Sequence, residues 1–144
     1  MYFAIGPKTS KKDLFNFDTE YDELKEAVVN SSEKLIVISG LRRTGKTSLM
    51  KVVYNEIELP KVYIDAREIF PLTTQSVNQH FTSFLFEFSK SYNLAEALLD
   101  QVKSLDFEVK VELKQHEHLL SSILKSINVE MGKRKTHAVI FIDE

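Results

Sequence analysis

Residues 39–48 read Ser39-Gly40-Leu41-Arg42-Arg43-Thr44-Gly45-Lys46-Thr47-Ser48. The run fits the pattern G-x-x-x-x-G-K-[ST], in which glycines allow a tight turn and successive N–H groups surround phosphate oxygens. Lys46 then supplies a mobile charge for the β- and γ-phosphates, and the Thr47 hydroxyl is a ligand for Mg²⁺. We therefore expect residues 40–48, here named the phosphate loop, to bind a nucleotide, with Lys46 also acting in catalysis and Thr47 on the metal.

The segments on either side of the phosphate loop match the context that this motif requires. Residues 35–38 form an apolar, largely β-branched run, Leu35-Ile36-Val37-Ile38, which predicts a buried parallel strand. After the loop, apolar residues recur at the spacing of one helix face: Leu49, Met50, Val53 and Ile57. The sequence thus predicts a strand, the phosphate loop and a helix in succession.

A second apolar run ends in two acids. Residues 138–142 predict another buried strand, and Asp143 and Glu144 follow it directly. An acid at the tip of such a strand is typical of a Walker B site, where it holds Mg²⁺. We expect Asp143 to be a metal ligand and Glu144 to act as the general base that polarises the attacking water. Ligands of open α/β sheets gather at the carboxyl ends of strands, where both motifs are predicted to lie.

The composition of the chain restricts the classes of protein to which it can belong. The chain has 144 residues, a net charge of −2 and no cysteine. That length suits one domain, and the absence of cysteine excludes disulfides and thiolate metal sites. The longest apolar run is far shorter than the ~20 residues that a membrane span needs, and the N-terminus lacks the regions of a signal peptide. We expect a cytoplasmic protein without a membrane partner.

Periodicity predicts the remaining elements. A basic leader at 1–17 brings Phe15 and Phe17 either onto the core or near the nucleotide base. Strict alternation at 107–113 predicts an edge strand inserted between helices. A short apolar run at 62–64 predicts a strand. Four apolar stripes at helical spacing predict further helices: Tyr21, Leu24 and Val28; Val77, Phe81, Phe84, Leu85 and Phe88; Leu94, Leu98, Leu99 and Val102; Leu120, Ile123, Leu124, Ile127 and Met131.

Two polar positions have alternative interpretations. Asp65, at the end of the predicted strand 62–64, either caps the next turn or reaches the phosphates. The basic run 133–135 is either a solvated turn after a helix or a patch that follows phosphates.

The three segments 40–49, 62–68 and 139–144 together resemble the archaeal ATPase family, P-loop ATPases related to the AAA+ and STAND groups. The leader Asn16-Phe17-Asp18-Thr19-Glu20 is similar to that family's N-terminal segment, although Thr19 stands where the family has arginine. The resemblance implies ATP and Mg²⁺ as cofactors. It also implies that 1–144 is the N-terminal part of one ATPase domain, with a core at 34–144. The strand that carries a sensor residue and the arginine finger would come later, so a gap one strand wide is expected in the sheet, and little turnover is expected from residues 1–144 alone.

The function predicted from these motifs is ATP hydrolysis by an α/β P-loop domain with a parallel sheet flanked by helices. Hydrolysis would drive a conformational or assembly change, and an open sheet edge would favour pairing with another copy of the chain. Two alternatives are a nucleotide-dependent switch or scaffold with little turnover and a P-loop kinase. Glu144 beside Asp143 favours hydrolysis over kinase chemistry, because it is placed to activate water.

Overall fold

The computed structural model describes residues 6–30, 33–94, 96, 98–100, 103 and 116–144, with backbone only at 116–120. The chain divides into two compact units, an N-terminal unit (Met1–Leu59) and a C-terminal unit (Pro60–Glu144). The predicted strand at 107–113 lies outside the described residues.

Two helices form the N-terminal unit. Helix α1 (Asp18–Asn30) and helix α2 (Lys46–Glu56) follow a short 3₁₀ turn at Lys11–Asp13. Both predicted helices are confirmed, and α1 buries the three side chains that its periodicity selects. Helix α2 adds an apolar face that packs towards α1. The buried side chains of this unit are Tyr21, Leu24, Val28, Leu49, Met50, Val52, Val53 and Ile57.

The strand predicted before the phosphate loop is wrong. Residues 35–40 have no regular secondary structure, and the side chains of Leu35 and Val37 are 80% and 75% exposed. A strand exists only where its backbone groups pair with a neighbour, and the only ladder among the described residues joins two other segments. The composition of 35–38 is typical of a strand. Composition, however, does not supply the neighbouring strand with which the segment would have to pair.

The C-terminal unit is a small α/β arrangement. Strands β1 (Lys61–Asp65) and β2 (Val139–Asp143) pair in parallel, with Tyr63 opposite Phe141 and Asp65 opposite Asp143. Both strands were predicted, but β2 is not buried on both faces, since Ile140 and Ile142 are 40% and 54% exposed. The parallel pairing brings the carboxyl ends of the strands to one edge. A 3₁₀ turn at Ala66–Glu68 follows β1.

Two helices of equal length belong to this unit, α3 (Thr74–Ser91) and α4 (His116–Lys133). Helix α3 begins at a side-chain cap, because the Thr73 hydroxyl accepts the N–H of Ser76 at 3.1 Å. The side chains buried together in the core of the unit are Leu85, Phe88, Leu94, Leu98, Ile123, Ile127 and Met131. Three members of the predicted α3 stripe, Val77, Phe81 and Phe84, are only half-buried, while Thr82 and Ser89 are buried instead.

Arg134 has a structural task in the C-terminal unit. Its guanidinium donates to the backbone carbonyls of Tyr92 (2.8 Å) and Asn93 (2.9 Å), where α3 ends, and to Glu130 (3.2 Å). A cation at a helix C-terminus stabilises the last carbonyls. Arg134 therefore stabilises the end of α3, and the basic run 133–135 is exposed at the end of α4, as its solvated-turn interpretation requires. Within the described ranges, no helix combines the length and apolar character needed to cross a membrane.

Candidate functional site

The phosphate loop is held by bonds to its own backbone. Lys46 Nζ donates to the carbonyl oxygens of Gly40 (3.0 Å) and Leu41 (2.7 Å). The Thr44 hydroxyl donates to the same Leu41 oxygen at 2.8 Å. The lysine at the start of α2 thus reaches back over the loop to its beginning, and its bond to Gly40 closes a ring of seven residues, 40–46.

Gly45 connects this ring to helix α2. It is the N-cap of α2, has φ of 91°, and carries no side chain that could cap the helix. Arg43 also lies in the left-handed region, with φ of 64°. The first N–H groups of a helix have no intrahelical acceptor and lie at the positive end of its dipole, which favours an anion. The chemistry of this end of α2, together with Lys46, Thr47 and Ser48, fits a phosphate group.

The leader is attached to the phosphate loop and to α2. The backbone N–H of Lys8 donates to the Ser48 hydroxyl at 2.9 Å, and the Asn55 side-chain amide donates to the carbonyl of Thr9 at 2.9 Å. A Cβ added to Gly45 would lie 3.0 Å from the ring of Phe17. Phe17 therefore covers the phosphate loop, and the Ser48 hydroxyl is bonded to the leader.

Phe15 differs from Phe17 in its surroundings. Its side chain is 84% exposed, so of Phe15 and Phe17 only Phe17 is docked on the protein. The other loop side chains assigned to nucleotide binding, Leu41, Arg42 and Arg43, are exposed as well.

The second group of predicted residues lies at the carboxyl ends of β1 and β2. We name it the acid edge and define it by Tyr63, Asp65, Arg67, Asp143 and Glu144. Asp143 is buried, with 5% of its surface exposed, and the Tyr63 hydroxyl donates to its Oδ2 at 2.7 Å. Burial raises the pKa of the Tyr63 phenol above its usual value, and the bond to Asp143 raises it further.

Arg67 occupies the solvent side of the acid edge. Its Nε and Nη2 donate to the two carboxylate oxygens of Asp65 at 2.8 and 2.5 Å, and its Nη1 lies 3.7 Å from Glu144 Oε2. The bidentate bond to Asp65 raises the pKa of the already cationic guanidinium. Asp65 also accepts the backbone N–H of Arg67 at 3.1 Å, so it caps the turn after β1, as one of its two interpretations required.

The predicted site residues fall into two sets. Gly40 to Ser48 lie together in the N-terminal unit, and Asp143 and Glu144 lie together in the C-terminal unit. In the part of the chain that the structure describes, no group of three or more His, Asp or Glu side chains is arranged to hold a metal ion. The predicted ligands Thr47 and Asp143 belong to different units.

Tyr63 contacts a predicted site residue, and the sequence assigned no role to it. It was placed in a predicted strand, two residues before Asp65, without a role. In the observed register it lies opposite Phe141, so it is diagonal to Asp143 on the same face of the sheet. Period-2 alternation could have placed Tyr63 and Asp65 on one face, but only the register of β1 against β2 brings Asp143 there.

Comparison of the chain with protein-family models, with curated proteins and with solved structures finds no match.

Proposed function

We propose that this protein binds ATP together with Mg²⁺ through the phosphate loop and hydrolyses it, as a P-loop ATPase similar to the archaeal ATPase family. One observation carries the proposal. Lys46 closes the loop onto the carbonyls of Gly40 and Leu41, directly before a helix N-terminus that has no side-chain cap. A cation and the start of a helix dipole are then concentrated within one turn, and both attract an anion.

Each residue has a defined task in the proposed reaction. Lys46 exchanges its carbonyl partners for the β- and γ-phosphate oxygens, which accept a stronger, charge-assisted bond. Thr47, in the phosphate loop, is the proposed protein ligand of the Mg²⁺ that would accompany the nucleotide and offset charge on its phosphates. Glu144 takes the proton from the attacking water as the water adds to the γ-phosphorus and the bond to ADP breaks.

A switch with slow turnover is the second candidate function. It is favoured by the contact between Arg67 and Glu144, whose charged atoms lie 3.7 Å apart. The ion pair with Arg67 engages the carboxylate that the attacking water would have to contact. Loss of that contact would then be needed before hydrolysis proceeds at full rate.

The test of nucleotide binding is calorimetry on the 144-residue chain with ATP and Mg²⁺. Replacing Lys46 by alanine removes a charge-assisted contact worth ~1.5–3 kcal/mol, which corresponds to ~10–150-fold weaker binding. The control is Lys12→Ala, which removes the same charge from an exposed position in the same unit. Equal ATP affinity for Lys46→Ala and the wild type would refute the proposal. An equal loss of ATP affinity in Lys46→Ala and Lys12→Ala would show that the binding is only non-specific electrostatic attraction.

A further inference from the structure

We propose that Phe17 is a positioning residue for the phosphate loop, and that its ring holds the backbone of Gly45 in the conformation in which the loop binds phosphate groups. This role rests on the proposed function, because it is a task at that same loop. It involves the N-terminal unit alone and depends neither on a metal ion nor on the acid edge.

The ring of Phe17 packs directly against the backbone of Gly45. A Cβ built on Gly45 would lie 3.0 Å from Cζ and 3.2 Å from Cε2 of the ring, so the space on that side of the glycine is filled. Gly45 is the N-cap of α2 and has φ of 91°, in the left-handed region. A glycine reaches many backbone conformations at low cost, and an atom in contact with it excludes those that would move the backbone into that atom. The ring therefore restricts Gly45 to the conformation from which α2 begins.

The position of the ring is itself fixed by the helix that follows it. Phe17 stands directly before α1, and its carbonyl accepts the N–H of the buried Tyr21 at 2.8 Å. The leader is bonded to the start of α2 a second time, where the Lys8 N–H donates to the Ser48 hydroxyl at 2.9 Å. Gly45 and Ser48 delimit the first turn of α2. The leader thus contacts that turn at both of its ends.

A loop held in its binding conformation has a higher affinity, because no part of the binding free energy is used to order it. The groups proposed to bind phosphate, Lys46 and the first N–H groups of α2, follow Gly45 directly, so a rotation at Gly45 would displace them together. Apparent affinity falls in proportion to the fraction of molecules in the competent conformation. The cost of fixing the backbone of one residue corresponds to ~5–30-fold in a binding constant. That factor applies to any ligand whose phosphates enter the loop.

Two other roles for the ring lead to different results. A ring that stacks on the base of a nucleotide would contribute to affinity for ATP but not for inorganic tripolyphosphate, which has no base. A ring that only adds apolar contact to the unit would contribute to the free energy of unfolding and to neither affinity. Only the positioning role lowers both affinities by the same factor when the ring is removed.

The experiment compares Phe17→Leu with Phe15→Leu in the 144-residue chain. Leucine keeps an apolar side chain at position 17 but lacks the ring atoms that touch Gly45. The control makes the same substitution two residues earlier, where the side chain is 84% exposed. Affinities for ATP and for tripolyphosphate are measured calorimetrically in EDTA, so that no metal ion takes part. We expect Phe17→Leu to lower both affinities by the same ~5–30-fold, and Phe15→Leu to match the wild type.

A second control tests for a general loss of stability. Val28→Ala shortens a buried side chain near the other end of α1 and leaves the contact of Phe17 with Gly45 in place. Under conditions in which the variants are folded, Val28→Ala should bind both ligands as the wild type does. An equal loss of affinity in Val28→Ala and Phe17→Leu would show that stability alone is responsible.

The mobility of Gly45 gives a readout that does not depend on a ligand. In ¹⁵N relaxation of the ligand-free protein, the order parameter of the Gly45 amide should be near the ~0.85 of a rigid backbone in the wild type and in Phe15→Leu. In Phe17→Leu it should fall towards ~0.6, the range of flexible segments. An unchanged order parameter in Phe17→Leu overturns the positioning role.

The binding results separate this role from the proposed function. If Phe17→Leu lowers the affinity for ATP alone, the ring contacts the base, and if it lowers neither affinity, the ring is structural. Either result overturns the positioning role. If Lys46→Ala weakens binding of both ligands and Phe17→Leu does not, only the positioning role is wrong. If the wild type binds neither ATP nor tripolyphosphate, the proposed function is wrong and the positioning role falls with it.

Discussion

The phosphate loop and the acid edge are built in opposite ways. The bonds within the loop join residues at most six positions apart, and its side chains from Leu41 to Thr44 are exposed. At the acid edge, the bond between Tyr63 and Asp143 joins residues 80 positions apart, and Asp143 is buried on a paired strand. A loop made of local bonds can adapt to a ligand, whereas side chains on paired strands are held in place before one arrives.

Under the proposed function, this contrast corresponds to a division between binding at the loop and chemistry at the acid edge. An exposed loop whose lysine already has backbone acceptors can exchange them for phosphate oxygens at small cost. An orienting network on strands suits groups that must hold a fixed position in the reaction. Substitutions at the loop should therefore change affinity for ATP, and substitutions at the acid edge should change turnover or metal dependence.

The largest expected effect is at Glu144. Glu144→Gln keeps the shape of the side chain and removes the proposed base, so hydrolysis should fall by ~10²–10⁴-fold. ATP affinity should stay near that of the wild type, because binding is assigned to the loop. Steady-state hydrolysis and calorimetry measure the two quantities. Glu68→Gln, an exposed acid in the same unit, is the matched control. Undiminished turnover in Glu144→Gln would show that the water is activated by another group.

A smaller effect, on stability, should come from the shape of the loop. Gly45→Ala places a Cβ on a residue with φ of 91° and within 3.0 Å of the Phe17 ring. The left-handed conformation alone costs ~1–2 kcal/mol with a side chain, and the contact adds to this. We expect urea unfolding to show a total loss of ~2–3 kcal/mol.

Gly132 provides the control for that substitution. It lies in α4, and a Cβ there meets no atom within 4 Å. Gly132→Ala should be neutral or stabilising by up to ~1 kcal/mol, because alanine is the better helix former. If Gly45→Ala and Gly132→Ala lower the free energy of unfolding equally, the contact of Phe17 with the loop does not contribute to stability.

Local patterns were sufficient for part of the molecule. Helix α2 and strands β1 and β2 were predicted because apolar spacing and strand composition are properties of consecutive residues. The phosphate-binding motif is local in the same sense. The coarse outcome, a small α/β arrangement with a parallel strand pair, follows from these elements.

The errors share one cause. The segment 35–38 has the composition of a strand, but pairing depends on a partner that composition does not name. The contact of Tyr63 with Asp143 depends on the register of two strands, and the position of Arg134 at the end of α3 depends on how two helices meet. These are long-range relations, and no spacing along the chain encodes them.

The smallest predicted effect tests whether the N-terminal unit also contains a long-range polar network. The hydroxyl of the buried Tyr21 donates to Glu56 at the end of α2, and Lys25 Nζ lies 2.9 Å from that hydroxyl and 3.5 Å from Glu56 Oε2. The Tyr21 bond is the main cause that lowers the pKa of Glu56 below its ordinary 4.5 and raises the pKa of Lys25 above its ordinary 10.5. α1 and α2 are thereby joined through charged groups.

The signs of these shifts define a pH window. A lowered carboxyl pKa stabilises the fold above pH 4.5, and this contribution is lost as the pH falls through the folded pKa of Glu56. A raised amine pKa stabilises the fold below pH 10.5, and this contribution is lost as the pH rises through the folded pKa of Lys25. Both contributions are present in full at pH 7. Because Lys25 and Glu56 are each about a third exposed, solvent screening keeps the effect small.

Tyr21→Phe should therefore lower the free energy of unfolding by about 1 kcal/mol at pH 7, as measured by urea denaturation. At pH 3 the loss should be smaller, because an increasingly protonated Glu56 accepts a weaker bond from the phenol. Tyr92→Phe is the control, since its hydroxyl accepts a neutral backbone N–H and its loss should not vary with pH. Equal losses at pH 7 and pH 3 in Tyr21→Phe would mean that the hydroxyl contributes only packing. The N-terminal unit would then be stabilised by apolar contacts and local bonds alone, which would widen the contrast with the acid edge.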